Sequence, residues 1–334
     1  MEELKITFYK NRQCKIDNSS HYFSIIRNHF SYDNPKARFT NYSYLPKRIY
    51  TITSKGYCDI GFIWKIKDFI KQEGWDLKLK LSDAVKKILV RQTHLELCEV
   101  PNETYQLRDY QFDAVTNALK LGGGLGLVGT GGGKSLIIAS IIESFYQANN
   151  KIKVLLVVPN LGLVNQMYDD FNEYECSFSS SKWTGKIELN EKTNVVIVNT
   201  GLLQRIDKND NPFDKFLKKN NVLIYDEAHG FGGVDQPKAT TILKQYNYDH
   251  VYGFTGSLME NDYGANMVYG YFGRPFYIKD SKSLRDEDYL SKVSVKLMNI
   301  YHDIDYKEIY DFKDKNKPDT ENYNNEIEYL TYCE

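Results

Sequence analysis

Two short segments hold residue types that can do chemistry together: Val128-Gly-Thr-Gly-Gly-Gly-Lys134-Ser135 and, downstream, Asp226-Glu227-Ala228-His229. In the first, Gly129, Thr130, Gly131, Gly132 and Gly133 let successive backbone N–H groups turn inward around phosphate oxygens at the start of a helix. Lys134 is spaced to reach the β- and γ-phosphates, and the Ser135 hydroxyl to sit on Mg²⁺. In the second, Asp226 is placed to hold the same metal, and Glu227 to orient and deprotonate a water attacking the γ-phosphate. His229 follows where a neighbouring loop could sense that hydrolysis. Lys134, Asp226, Glu227 and His229 are therefore the candidate catalytic residues, Ser135 and Asp226 the candidate metal ligands, and ATP with Mg²⁺ the implied cofactors. The strict phosphate-loop pattern has glycine where this chain has Val128.

Such chemistry needs elements that deliver these residues to one edge. Gly122–Val128 reads as a short apolar strand, and Ser135–Tyr146 carries apolar residues at helical spacing. Asn221–Glu227 is an apolar run ending in two carboxylates, as expected of a buried parallel strand that brings acids to the C-terminal edge of a sheet. The pattern predicts an α/β fold: a P-loop parallel sheet flanked by helices.

Further segments, in order, resemble the superfamily 2 helicases and translocases. Leu107-Arg108-Asp-Tyr110-Gln111 opens a helix expected over Asp109–Leu119, and its family counterpart reads the adenine, so Arg108 and Gln111 join the expected nucleotide contacts. Val154–Asn160 followed by Gln166, then Trp183-Thr184-Gly185 and Val196–Thr200, look like the family's DNA-contact segments. That likeness nominates Pro159, Asn160, Gln166, Thr184, Gly185 and Thr200. Thr255-Gly256-Ser257 looks like the hydroxyl tripeptide that couples hydrolysis to domain movement, with Gly in place of the commoner Ala. The resemblance implies a RecA-like first lobe, DNA as partner and ATP-dependent DNA helicase activity.

Formal net charge is −1 over 334 residues, but the distribution is uneven. Residues 1–100 hold 18 Lys and Arg against 11 Asp and Glu, and the remainder 25 against 33. The front is basic, as phosphate-backbone binding requires. Strands are expected at Leu4–Tyr9, Arg38-Phe39, Arg48–Ile52 and Asp76–Lys80, with a helix at Ser20–Phe30 and an amphipathic run at Gly61–Lys71. These make a small α+β domain over 1–98. Lys36, Arg38, Lys47, Arg48 and Lys55, interleaved with Phe39, Tyr42, Tyr44 and Tyr50, form either a nucleic-acid face or a solvated surface over core tyrosines. The layout of this module resembles that of phage UvsW-type recombination helicases, which implies duplex, forked or branched DNA as substrate.

The ATP-binding lobe is expected over 99–300, with Ser281–Ile300 as a strand-rich tail. Residues 301–334, with ten acids against four lysines, would lead to a second lobe absent from this chain. Low activity in isolation follows from that expectation, since a second lobe supplies an arginine finger. Two other readings stand beside it: a non-catalytic duplex- or junction-binding fragment, and the motor part of a restriction-type translocase. Cys14, Cys58, Cys98, Cys176 and Cys333 are scattered without paired spacing, which argues for reduced thiols and against zinc. No apolar run reaches membrane-spanning length and no signal peptide is visible, so the expected location is the cytoplasm, that of the host if phage-encoded.

Overall fold

The computed structural model describes residues 2–34, 46–89, 93–206, 213–217, 221–232, 237–257 and 263–291. Alternation of apolar and polar residues builds the first layer. Along Glu2–Lys10 (β1), Leu4 and Ile6 are fully buried while Lys5 and Thr7 face out, the two-residue period of a half-buried strand. Gln13–Ile16 (β2) pairs antiparallel with β1. His21–His29 (α1) follows, with the Ser20 hydroxyl accepting from Tyr22 N. Ser31–Asp33 (β3) and Arg48–Tyr50 (β4) form a separate antiparallel ribbon. The strand expected to reach Ile52 ends at Tyr50, with Thr51 N still donating to Phe30 O in the register of the ribbon.

Tyr57–Asp59 (β5) pairs antiparallel with β2, and Leu77–Leu81 (β6) pairs parallel with β1. The resulting four-stranded sheet runs β5-β2-β1-β6. Its inner face shares one core with Phe23 and Ile26 of α1, Ile63, Ile66, Phe69 and Ile70 of Ile63–Gln72 (α2), and Val85 of Asp83–Leu89 (α3). Cys14 and Cys58, distant in sequence, face each other across β2 and β5 with Sγ atoms 3.6 Å apart. Lys36, Arg38, Phe39, Tyr42, Tyr44 and the acidic segment 301–334 lie outside the described residues.

The chain then joins a larger core through Leu95 and Leu97 and enters Asp109–Leu121 (α4). Seven strands follow: Gly123–Val128 (β7), Lys153–Val158 (β8), Ser180–Trp183 (β9), Val195–Asn199 (β10), Asn221–Asp226 (β11), His250–Thr255 (β12) and Pro275–Lys279 (β13). All pair in parallel, in the order β13-β7-β12-β11-β8-β10-β9. Val154, Leu156 and Val158 enter one core while Leu155 and Val157 enter the other, which is why β8 reads as an unbroken apolar run rather than an alternating one. One core packs α4, Lys134–Ala148 (α5) and Leu161–Glu173 (α6) against the sheet. The other packs the turn Ala228–Gly232, Pro237–Leu243 (α7) and Tyr263–Phe272 (α8). The lobe is the helix-flanked parallel sheet expected from the sequence.

The expected strand-rich tail after Ser281 is corrected: Ser281–Asp286 is a helix (α9), set by Asp280, whose Oδ1 accepts from Ser283 N at 2.7 Å. β13, just before it, was not foreseen. Between module and lobe, Lys244 Nζ lies 2.6 Å from Asp59 Oδ2, Arg12 Nε donates to Tyr271 O at 3.2 Å and Asn11 Nδ2 donates to Lys244 O at 2.8 Å. Among the described residues no helix is long and apolar enough to cross a membrane.

Candidate nucleotide site

Parallel strands of this topology open their loops at the carboxyl edge, and the candidate residues gather there. Val128, the departure from the strict pattern, ends β7 fully buried in the core. The loop after it is anchored by Gly129 N donating to Lys279 O at 2.9 Å on β13 and by Gly132 N donating to Gly129 O at 3.0 Å. Gly133 turns into α5 with φ of 68°, and a Cβ there would lie 2.3 Å from Gln111 Nε2. Only glycine adopts that conformation cheaply and lets the loop pass so close beneath another side chain.

β11 delivers the acids. Glu227 has φ of 53°, a left-handed conformation uncommon for a residue with a side chain. Its Oε1 lies 3.5 Å from Lys134 Nζ and its Oε2 3.2 Å from His229 Nδ1. His229 Nδ1 is also 3.0 Å from Thr255 Oγ1, whose hydroxyl donates to Ser257 O at 3.0 Å. With that proton committed to Ser257, Thr255 accepts from His229, which puts the imidazole proton on Nδ1, shared between Thr255 and Glu227. The turn after β12 also abuts the phosphate loop, since a Cβ on Gly256 would lie 3.2 Å from both Thr130 N and Thr130 Oγ1.

Asp226 is 6% exposed, and its Oδ1 has no hydrogen-bond partner. Burial, reinforced by the neighbouring Glu227 charge and opposed by Lys134, pushes its carboxyl up to about 6. A buried carboxylate oxygen with no donor, on a residue close to Lys134 and a second acid, fits a hard divalent cation such as Mg²⁺.

The other expected site residues divide. Gln111 lies against the phosphate loop, but both ends of its amide are engaged: Oε1 accepts from Arg108 N at 2.9 Å and Nε2 donates to Gly132 O at 3.2 Å. The Ser135 hydroxyl is 3.0 Å from Tyr174 OH, beside Asp170, and so turns toward α6. Pro159, Asn160, Gln166, Thr184 and Gly185 reach the surface to differing degrees. Asn160 caps α6 by accepting from Leu163 N at 3.0 Å. Thr200 is buried, its hydroxyl donating to Pro159 O at 2.9 Å, so it shapes the Pro159 turn from beneath. Of the basic cluster in the N-terminal module, Lys47, Arg48 and Lys55 are described and exposed, and Arg48 Nη2 donates to Ser31 O at 3.3 Å.

One part of the site was missed. After α9 the chain returns over the phosphate loop: a Cβ on Gly131 would meet Leu290 Cδ2 at 2.9 Å, and the Tyr289 ring sits 4.8 Å from that of Tyr110. Arg108 Nη1 donates to Tyr289 O at 3.5 Å. The Asp280-Ser-Lys-Ser283 cap pattern was the available signal for α9, though not for where the chain goes next.

Residues 104–259 match the family described as "Type III restriction enzyme, res subunit". Over 309 residues the chain is 25% identical to "ATP-dependent DNA helicase uvsW" of Enterobacteria phage T4, covering 88% of this chain. It spans 59% of that relative's length. The "Crystal structure of the UvsW helicase from Bacteriophage T4" superposes with a TM-score of 0.66 at 23% identity, over 83% of this chain and 100% of that one. "The crystal structure of T4 UvsW" gives 0.65 at 24% identity, over 83% and 57%. In sequence over most of its length, and in fold, the chain is similar to the UvsW helicase of phage T4.

Proposed function

We propose that this chain is the nucleotide-binding part of an ATP-dependent DNA helicase or translocase acting on branched or forked DNA, in recombination, repair or replication-fork remodelling. The observation that carries the reading is the joined network Lys134–Glu227–His229–Thr255 beside the unpartnered Asp226 oxygen. In this reading the phosphate loop receives the triphosphate, and Lys134 leaves Glu227 to meet the β- and γ-phosphates. Glu227, freed, orients the attacking water and takes its proton. Asp226 and a rotated Ser135 hold Mg²⁺, which when bound neutralises charge on the transferring phosphoryl group. His229 relays the change at Glu227 to Thr255, and Thr255-Gly256-Ser257 passes it to whatever lobe closes on the nucleotide. Pro159, Asn160, Gln166, Thr184 and Gly185 are the proposed DNA contacts of the lobe. The proposed setting is the cytoplasm, that of the host if the chain is phage-encoded.

ATP hydrolysis by the chain with and without a forked DNA, with Lys134→Ala as the blank, tests this. Expected are DNA-stimulated turnover lost in Lys134→Ala and in Glu227→Gln, the latter still binding nucleotide. Undiminished turnover in Glu227→Gln would overturn the base assignment. One observation favours a second reading, a non-catalytic DNA-binding fragment: the Ser135 hydroxyl faces Tyr174 rather than the acids. Fork binding without any turnover selects that reading.

A further inference from the structure

The N-terminal sheet has a second face that the nucleotide reading does not use. Its inner side is the module's core; its outer side presents Glu3, Lys5, Thr7 and Tyr9 from β1, Lys15 from β2, Tyr57 from β5, and Lys78 and Lys80 from β6. Register places these residues side by side. Lys5 pairs with Lys80, Glu3 with Lys78, Thr7 with Lys15, and Lys15 with Tyr57. All but Tyr57 are exposed, and Tyr57 is half-buried.

Three features set this face apart from an ordinary solvated sheet. Lys5 faces Lys80 across the β1–β6 pairing, where an opposite charge would stabilise the sheet better. Glu3 is held by Lys80 at 2.9 Å and Asp17 lies near Lys5 and Lys15, two acids against the four lysines Lys5, Lys15, Lys78 and Lys80. Tyr9, 48% exposed, lies with its ring 4.5 Å from that of Tyr57 at one end of the array. Lys10 and Lys15 stand 5.4 and 5.9 Å from these two rings.

We infer that this outer face binds single-stranded DNA, with bases stacking on Tyr9 and Tyr57 and phosphates running over Lys15, Lys5 and Lys78. The inference rests on the proposed action on DNA and adds to it a separate site for an unpaired strand. From Glu3 to Tyr9 an extended strand covers about 20 Å, room for a few nucleotides. A sheet face carrying the exposed Tyr9 ring beside the half-buried Tyr57 suits unstacked bases, whose π-faces are free; duplex bases are already stacked. The occupant is thus an unpaired strand, and a duplex is the alternative that the test separates.

The test is fluorescence anisotropy of the whole chain with a labelled oligothymidylate of about 20 nucleotides and with a blunt duplex of the same length. Two variants are compared with the parent: Tyr9→Ala with Tyr57→Ala, and Lys15→Glu with Lys78→Glu, the second altering exposed positions only. Circular dichroism checks folding of both. Each variant is expected to weaken the single strand ~10-fold or more while duplex affinity stays within ~2-fold. Parental affinity for the single strand in both folded variants overturns the surface but leaves the proposed function standing. Equal loss for both DNAs overturns the single-strand assignment in favour of a general polyanion surface. A parent chain that binds neither DNA overturns the surface and the proposed function together.

Discussion

Two buried aspartates end strands in this chain, Asp59 at 7% exposure and Asp226 at 6%, and each keeps one side-chain oxygen without a partner. They differ in what faces the other oxygen. Asp59 Oδ2 has Lys244 at 2.6 Å, and that ammonium also lies 5.7 Å from the Phe231 ring and 5.5 Å from the Tyr271 ring. Asp226 stands beside a second carboxylate, and the nearby Lys134 pairs with Glu227 instead. The first arrangement is a joint: a charge buried with its counter-ion between two parts of the molecule. In the proposed function the second is a receptacle, a charge buried ahead of the cation it is suited to take. Phe231 connects them, stacked on Tyr271 at 4.5 Å and two residues beyond His229.

Neutralising the two aspartates should separate joint from receptacle, with the largest effect at the receptacle. Asp226→Asn is expected to weaken Mg²⁺-dependent nucleotide binding and turnover by ~100-fold or more. It should also raise stability by roughly 1–3 kcal/mol at neutral pH, because a charge whose burial lifts its carboxyl to about 6 is removed. Urea unfolding reads the second effect, and a destabilised Asp226→Asn would mean that the carboxylate is structural. Asp59→Ala should do the opposite. It leaves Lys244 largely buried without its partner, at a cost of about 2–4 kcal/mol after allowing for residual solvent access, while nucleotide affinity changes little. Adding Lys244→Met should recover much of that stability, and a double-mutant cycle with no coupling would dissolve the joint.

A smaller effect probes the packing of the same joint. A Cβ on Gly61 would lie 2.5 Å from Gly270 O and 2.8 Å from Gly273 N, both backbone atoms with little room to move. Gly61→Ala is expected to cost about 1–3 kcal/mol by overpacking. Gly74→Ala, where nothing lies within 4 Å although φ is +66°, is the comparison that isolates backbone strain. Equal losses at the two positions would show that close approach is not what fixes Gly61.

The receptacle was legible in the sequence and the joint was not, for a physical reason. A phosphate loop and a strand ending in two acids write their chemistry into consecutive residues, so Lys134, Asp226 and Glu227 could be placed before any coordinates. Apolar runs and spacing gave β7, β11 and α5 because each buries a continuous run or stripe. The joint is made by pairs such as Asp59 with Lys244 and Arg12 with Tyr271, whose partners are far apart in the chain. Asp59, Lys244 and Arg12 each look, alone, like an ordinary surface charge. The return of Tyr289 over Tyr110 escaped for the same reason. At Ser135 and Thr200 the motif gives the residues but not where their hydroxyls turn, which depends on Tyr174 and Pro159.

The last and smallest effect belongs to the module's own core. His29 stacks on Phe69 with ring centroids 3.8 Å apart, and Phe30 meets it edge-on at 4.7 Å. Partial burial lowers its pKa from the usual 6.5, with Glu73 pulling weakly the other way. The unfolded chain therefore binds a proton more readily than the folded one. Stability from this group is fully present above pH 6.5 and is lost as pH falls from there through the depressed folded value. The loss should be small, because the ring remains largely open to solvent. His29→Phe keeps the stack and removes the proton site, so its urea midpoint should decline less between pH 7 and pH 5 than that of the parent. Identical declines would assign the acid sensitivity of the module to its carboxylates instead, and leave His29 as a purely apolar contact.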